Sequence, residues 1–293
     1  MGLKVAVLAT VGTSILANLE RKLQELNVSK DLEEVLRGSS RLRLDDPKQQ
    51  EFRRRVHYSD PLMRIAVDAV ARDPEQMSAE LNTIIKFFRE WRPGTAYVEE
   101  LHIRLYPTDT GTSVFCANAI KNYVEFYRQD FVKLLDIRQD CKITCDIVEL
   151  KGFGVSEKFF TEGIDELLDK YAKYILSLKK RGYKVILAAT GGFKPECTYA
   201  VIIGLLCGVD RIVYVHEAFR YYVDLPAIPL DVDPEVKELV KRIGKGAYPK
   251  HALEQLGINV DELREKGVLR QENGVFRLAE WLVKILELKE QFR

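Results

Sequence analysis

Lys4-Val5-Ala6-Val7-Leu8-Ala9, running into Thr10-Val11-Gly12-Thr13-Ser14, decides how this chain is read. Lys4 to Ala9 is almost unbroken in its apolar character. A strand with one wet face alternates polar and apolar residues, whereas a strand covered on both faces need not, and such strands belong to parallel sheets layered by helices. The Gly-Thr-Ser turn and the helical pattern from about Ile15 complete a strand–loop–helix unit. The unit recurs. His102–Pro107 leads into Thr108-Asp109-Thr110-Gly111-Thr112, and Lys142–Leu150 leads into Gly152-Phe153-Gly154 and a long helix through Leu178. Lys184–Ala189 leads into Thr190-Gly191-Gly192-Phe193-Lys194-Pro195, and Arg211–Glu217 closes the series. Strands alternating with helices predict an α/β fold with a mainly parallel sheet and right-handed crossovers.

Two stretches depart from this rhythm. Residues from about 20 to 94 contain no strand pattern but do contain helical ones, Glu80 to Phe88 among them, and predict a helical insertion between the first two strands. Within it Lys48–His57 is polar and basic and is expected to be mobile; Arg53, Arg54, Arg55 and His57 are either a solvated face or a run that approaches an anionic ligand or a partner subunit. After Leu230 the pattern changes again. Asp233-Pro234 starts a helix as cap and first residue, short helices follow at Pro249–Leu256 and Val260–Lys266, and Val268–Leu278 is a hairpin turning at Asn273-Gly274. Trp281–Phe292 is a last amphipathic helix. The predicted division is 1–232 for the α/β domain and 233–293 for a small winged-helix-like domain.

Composition narrows the functions. Of 293 residues, 45 are Lys or Arg and 44 Asp or Glu, a net charge of +1, so no basic coat for long nucleic acid is present. Five cysteines suit reduced, buried thiols, with Cys141 and Cys145 on one face of a strand. The apolar N-terminus is a short first strand rather than a signal peptide, and Ala200–Gly208 is too short to span a bilayer, which predicts a cytoplasmic protein with no membrane contact.

Three loops beyond strand ends are rich in Gly, Thr and Ser. Backbone N–H groups at such helix starts bind phosphate oxygens, glycines admit a phosphate to the backbone, and Lys194 adds positive charge. The candidate ligand-binding residues are therefore Gly12, Thr13, Thr108, Asp109, Thr110, Gly111, Thr190, Gly191, Gly192 and Phe193. Neither a dinucleotide fingerprint nor a triphosphate-binding loop is spelled, because one glycine stands where three are needed and no long glycine loop precedes Lys194. The four histidines, His57, His102, His216 and His251, fall in separate elements, so neither a metal nor another cofactor is expected. Arg211 and His216 lie on one strand at an odd offset, facing opposite ways.

The Val11-Gly12-Thr13-Ser14 turn, the passage Ala189-Thr190-Gly191-Gly192-Phe193-Lys194-Pro195-Glu196, and Leu225-Pro226-Ala227-Ile228-Pro229 resemble the CARF domains of CRISPR-associated proteins, over residues 1 to about 232. The resemblance implies a Rossmann-like fold, a homodimer, and a cyclic oligoadenylate bound across the dimer interface. No Arg-x(4–6)-His motif or carboxylate cluster follows Leu230, as an attached nuclease would require. The layout is most similar to the archaeal ring nucleases, whose pocket uses a loop Ser or Thr and a Lys after paired glycines, which match Ser14 and Lys194. This implies metal-independent cleavage of cyclic tetra-adenylate by 2′-OH attack, giving linear di-adenylate with a 2′,3′-cyclic phosphate. A messenger-responsive transcription regulator and a ring-activated nuclease or binding module are the alternatives. The acidic Val260–Lys266 helix makes stable duplex DNA binding unexpected and predicts that the tail is a lid or dimer element.

Overall fold

The computed structural model describes residues 2–26, 28–91, 97–152, 163, 165–192, 194–215 and 221–292. Its centre is a six-stranded sheet of β1 (Leu3–Val11), β2 (Val98–Pro107), β3 (Lys142–Ile147), β4 (Lys184–Ala188), β5 (Arg211–Val215) and β6 (Tyr222–Leu225), in the order β3-β2-β1-β4-β5-β6. All neighbours are parallel except β5 and β6. β1 is flanked on both sides, Val5 lying opposite Leu101 of β2 and Lys184 of β4.

Its side chains divide as a doubly covered strand requires. Val5, Val7, Ala9 and Val11 enter one core, and Ala6 and Leu8 enter another on the opposite face. The first core is roofed by α1 (Ser14–Arg21), by the insertion, and by α7 (Gly111–Phe126) and α8 (Arg128–Leu135). The insertion supplies α2 (Lys30–Leu36), α3 (Lys48–Arg54), α4 (Pro61–Arg72), α5 (Pro74–Met77) and α6 (Ala79–Trp91). The second core lies under α9 (Lys173–Lys180), entered through a π-helical turn at Leu168–Ala172, and under α10 (Lys194–Leu206).

The stretch expected to be mobile is instead the helix α3. Phe52 is fully buried and packs edge-on against Phe115 of α7 at 5.4 Å between ring centres. Arg53 grips Glu149 with two bonds of 2.7 and 3.0 Å, and Arg55 pairs with Glu51 at 2.8 Å and Asp60 at 3.2 Å. These carboxylates hold both guanidinium groups above the ordinary arginine range, through the hydrogen bond to Glu149 for Arg53 and to Glu51 for Arg55. Of the basic run, Arg54 and His57 remain exposed.

The C-terminal residues form α11 (Pro234–Ile243), β7 (Tyr248–Pro249), α12 (Lys250–Gln255), α13 (Val260–Glu265), β8 (Leu269–Glu272), β9 (Val275–Leu278) and α14 (Glu280–Gln291). β7, β9 and β8 make a small antiparallel sheet, and Asn273 and Gly274 take the positive φ angles of 50° and 80° that a tight hairpin turn demands. This part has its own core, with Leu239, Leu253, Phe276 and Leu282 in it. α14 joins it to the larger sheet. Ile285 and Leu288 enter the second core, Lys284 pairs with Asp169 at 2.6 Å, and Lys289 with Asp231 at 2.8 Å. Among the described residues no helix is long and apolar enough to cross a membrane.

Candidate functional site

In open α/β sheets a ligand-binding crevice forms where the strand order reverses, beyond the carboxyl ends of the strands. Here that point lies between β1 and β4. The two loops leaving it are Gly12-Thr13-Ser14 and Thr190 to Lys194, the loops that the sequence marks. They meet closely. A Cβ on Gly12 would fall 2.8 Å from the Gly192 nitrogen, and one on Gly191 would fall 2.9 Å from the Gly12 nitrogen. The Thr10 hydroxyl donates to the Gly191 carbonyl across the seam.

A side chain from the insertion locks the seam. Glu80, on the first turn of α6, is 1% exposed. Its Oε1 accepts the Gly12 N–H at 2.9 Å, and its Oε2 accepts the hydroxyls of Ser78 at 2.7 Å and Ser14 at 3.3 Å. The Ser14 oxygen in turn accepts the Ala79 N–H at 3.1 Å. A Cβ on Gly191 would lie only 2.0 Å from Oε1, so the glycine makes room for this carboxylate. A second tie runs from Thr83 to Thr190, hydroxyl to hydroxyl at 2.7 Å, and the Thr190 oxygen accepts the Val215 N–H at 3.3 Å.

Beside the seam is a cavity of about 740 Å³. Ser14, Asn18 and Lys22 of the first loop and helix line it, with Asn82 and Lys86 of α6 and Thr190 and Val215 from the strand ends. Among the described residues, none that lines it comes from the C-terminal part. α14 packs on the opposite face of the sheet, where Ile285 and Leu288 share a core with Ala6 and Leu8. Lys194 is exposed at the first position of α10, and Thr198 caps back onto its carbonyl at 2.9 Å. Lys194 leaves the strand next to Ser14's but does not line the cavity. Phe193 lies outside the described residues, as do His216, Glu217 and the start of the long helix after Gly152.

The third marked loop is placed differently. Ser113 donates to the Val11 carbonyl at 2.8 Å, which brings the loop alongside the first. Two of its first-turn N–H groups are already engaged. Thr112 N–H donates to Gln49 Oε1 at 3.0 Å and Ser113 N–H to the Thr110 hydroxyl at 3.2 Å. Thr108 shares a hydroxyl contact of 3.3 Å with Thr110, and Asp109 accepts the Gly152 N–H at 3.2 Å. A Cβ on Gly111 would strike the Gln49 carbonyl oxygen at 1.7 Å. This helix start therefore seats α3. Thr13, for its part, donates to the Ser40 carbonyl at 3.0 Å.

Cys197 also faces the seam, with Sγ 3.0 Å from the Gly191 carbonyl, but burial pushes its thiol up to about 11, so it is not a thiolate nucleophile at neutral pH. Among the described residues no group of three His, Cys, Asp or Glu side chains is placed to hold a metal ion. Arg211 lies on β5 and pairs with Asp224 of β6.

Sequence reasoning passed over Glu80, although a signal was there. Glu80, Ile84, Phe87 and Trp91 share the spacing of one helical face, which puts a carboxylate on the apolar stripe of α6. A charge in that position calls for buried donors, and Gly12, Ser14 and Ser78 are those donors.

Among solved structures, the chain is similar to Can2 from Sulfobacillus thermosulfidooxidans in complex with cyclic tetra-adenylate (cA4), at 16% sequence identity and a TM-score of 0.25. The match covers 73% of this chain and 62% of that one, so it spans less than two thirds of that protein's length. A family model described as CRISPR-associated protein (Cas_APE2256) matches residues 75–228, more than half of the chain, with Glu80, Thr190 and Lys194 inside the match and Ser14 ahead of it. With an α/β sheet, paired loops at its switch point and this match, the chain belongs to the CRISPR-associated Cas_APE2256 family.

Proposed function

We propose that this protein is a metal-independent ring nuclease that cleaves a cyclic tetra-adenylate second messenger and so switches off type III CRISPR defence. The observation that carries the reading is the meeting of the Ser14 loop and the Gly191–Lys194 loop at the switch point between β1 and β4, beside a cavity of about 740 Å³. The CARF resemblance assigns those same loops to the ring.

The chemistry asks little of the protein. Each scissile phosphate has its own 2′-OH, which must be aligned with the leaving 5′-oxygen while charge on the phosphorane oxygens is stabilised. Ser14 meets the hydroxyl, and Lys194 with the Gly192 N–H meets the developing charge. The products are linear di-adenylates ending in a 2′,3′-cyclic phosphate. Purified protein in excess over cyclic tetra-adenylate, in EDTA, is expected to yield them; a ring left intact after long incubation overturns the reading.

Two such sites face one ring in a homodimer. A surface fit for a second copy begins at the Lys194 loop. Ile202 on α10 and Leu225, Ile228 and Leu230 beyond β5 are exposed, and Ile202 and Leu225 line an apolar groove of about 290 Å³ with Val201 and Tyr214. Ile202→Glu is expected to turn a dimer in sedimentation equilibrium into a monomer that cleaves poorly. A variant that stays dimeric removes this face from the account.

A messenger-responsive regulator is the second reading, favoured by the order helix, strand, helix, helix, strand, strand in the C-terminal part, which is that of a winged-helix-like module. The charges of α13 argue against it. Asp261 pairs with Lys250 at 2.7 Å and Glu262 with Lys266 at 2.5 Å, so two lysines beside the would-be recognition helix are already paired with its own carboxylates. Ring-dependent, salt-sensitive duplex binding in a gel-shift assay would reverse that preference.

A further inference from the structure

Ser14 is not a free hydroxyl. It accepts one hydrogen bond, from the Ala79 N–H at 3.1 Å, and its own proton points to Glu80 Oε2 at 3.3 Å. A serine oxygen has one proton and two lone pairs. With the proton committed to Glu80 and one lone pair to Ala79, what Ser14 offers the cavity is the remaining lone pair. It meets a ligand as an acceptor, suited to a hydroxyl rather than to a phosphate oxygen.

Resting on the ring-nuclease reading, we propose that Glu80 takes up the proton of the attacking 2′-OH through Ser14. The O2′ lone pair forms the new O2′–P bond as the P–O5′ bond breaks. The O2′ proton passes to Ser14 Oγ, and the Ser14 proton passes to the Glu80 carboxylate. The leaving O5′ takes a proton from water, and the hydroxide so formed is neutralised by protonated Glu80, which restores the starting state. Glu80 acts through Ser14 and is a positioning residue, held in place by Gly12 and Ser78.

The geometry fits this role in two further ways. Negative charge leaves the buried carboxylate as it grows on the phosphorane, so the buried anion that opposes a polyanionic ring in the ground state is discharged in the transition state. The carboxylate is also fixed before the ring arrives, by an amide and two hydroxyls, and needs no reorganisation during the step.

Single-turnover cleavage and equilibrium ring binding test this in the full-length protein. Glu80→Gln is expected to bind the ring within about twofold of wild type and to cleave it roughly a hundredfold more slowly, the usual worth of a positioned base. Glu80→Asp is expected to recover part of that loss. Because the two residues work as one unit, the Ser14→Ala/Glu80→Gln protein is expected to be no slower than the slower single variant. In mixtures of light and heavy water the wild-type rate is expected to follow a curved proton inventory, two protons moving together, and Glu80→Gln a straight one. The wild-type inventory needs no variant, so a Glu80→Gln protein that fails to fold leaves the test intact. A straight wild-type inventory, or Glu80→Gln cleaving at the wild-type rate, overturns the relay while leaving the ring-nuclease reading standing. Wild-type protein that leaves the ring whole overturns both.

Discussion

Ser14→Ala is expected to cleave the ring on the order of a hundredfold more slowly than wild type in single turnover, equivalent to roughly 3 kcal/mol, while binding it almost normally. The split follows from where Ser14 sits. Its oxygen contacts the Ala79 N–H and Glu80, both belonging to the insertion, so its removal takes nothing from the cationic side of the site. Alignment of the 2′-OH matters most as the in-line geometry forms, which places the loss in the rate rather than in the affinity. Lys194→Ala contrasts with it. That change removes a positive charge next to a ring that carries four phosphates before and during reaction, and both binding and cleavage are expected to fall. Paired binding and single-turnover measurements separate the two. Wild-type rates in both folded variants would take these residues out of the catalytic account even if the ring is cleaved.

Gly111→Ala is expected to have the largest effect on folding, a loss of roughly 3–5 kcal/mol. The added carbon would lie 1.7 Å from the Gln49 carbonyl oxygen and 2.7 Å from its carbon, both in the backbone of α3, which cannot turn aside as a side chain does. The helix must lift. Phe52 then leaves its contact with Phe115, and the Thr112 N–H loses Gln49. Burying a phenylalanine is worth up to about 3 kcal/mol, and an orphaned buried amide costs a further ~1–3 kcal/mol. Urea denaturation should show a lower midpoint at an unchanged slope. An unfolding free energy within about 0.5 kcal/mol of wild type would mean that α3 is not seated as described.

The larger sheet was readable because its strands are runs of β-branched and aliphatic residues closed by Gly, Thr and Pro. The Asn273-Gly274 turn was readable because few other pairs tolerate positive φ twice in succession. β6 carried no such mark. Tyr222–Leu225 is short and largely exposed, and it pairs antiparallel with β5, so it has neither the length nor the burial that writes a pattern. β7, with two residues, is defined only by its partner. In the site, the glycines of the seam were legible as places of close approach, but nothing local says what approaches. At Gly191 it is Glu80, from more than a hundred residues away, and at Gly12 it is the Gly192 backbone. The basic run misled for a similar reason. The partner of Arg53 is Glu149, two residues beyond the end of β3, and only the fold brings it within 2.7 Å.

The central place of β1 has a consequence for synthesis. Its second sheet neighbour, β4, begins roughly 170 residues after β1 ends. At ordinary elongation rates of about 5–20 residues per second, this largely apolar strand waits on the order of ten to thirty seconds for that neighbour. The helices of the insertion leave the ribosome well before β4, and several of their side chains share a core with Val5, Val7, Ala9 and Val11. They reach one face of β1 early, so the same segment that supplies Glu80 to the site also shelters the nascent strand from its neighbours in the cell.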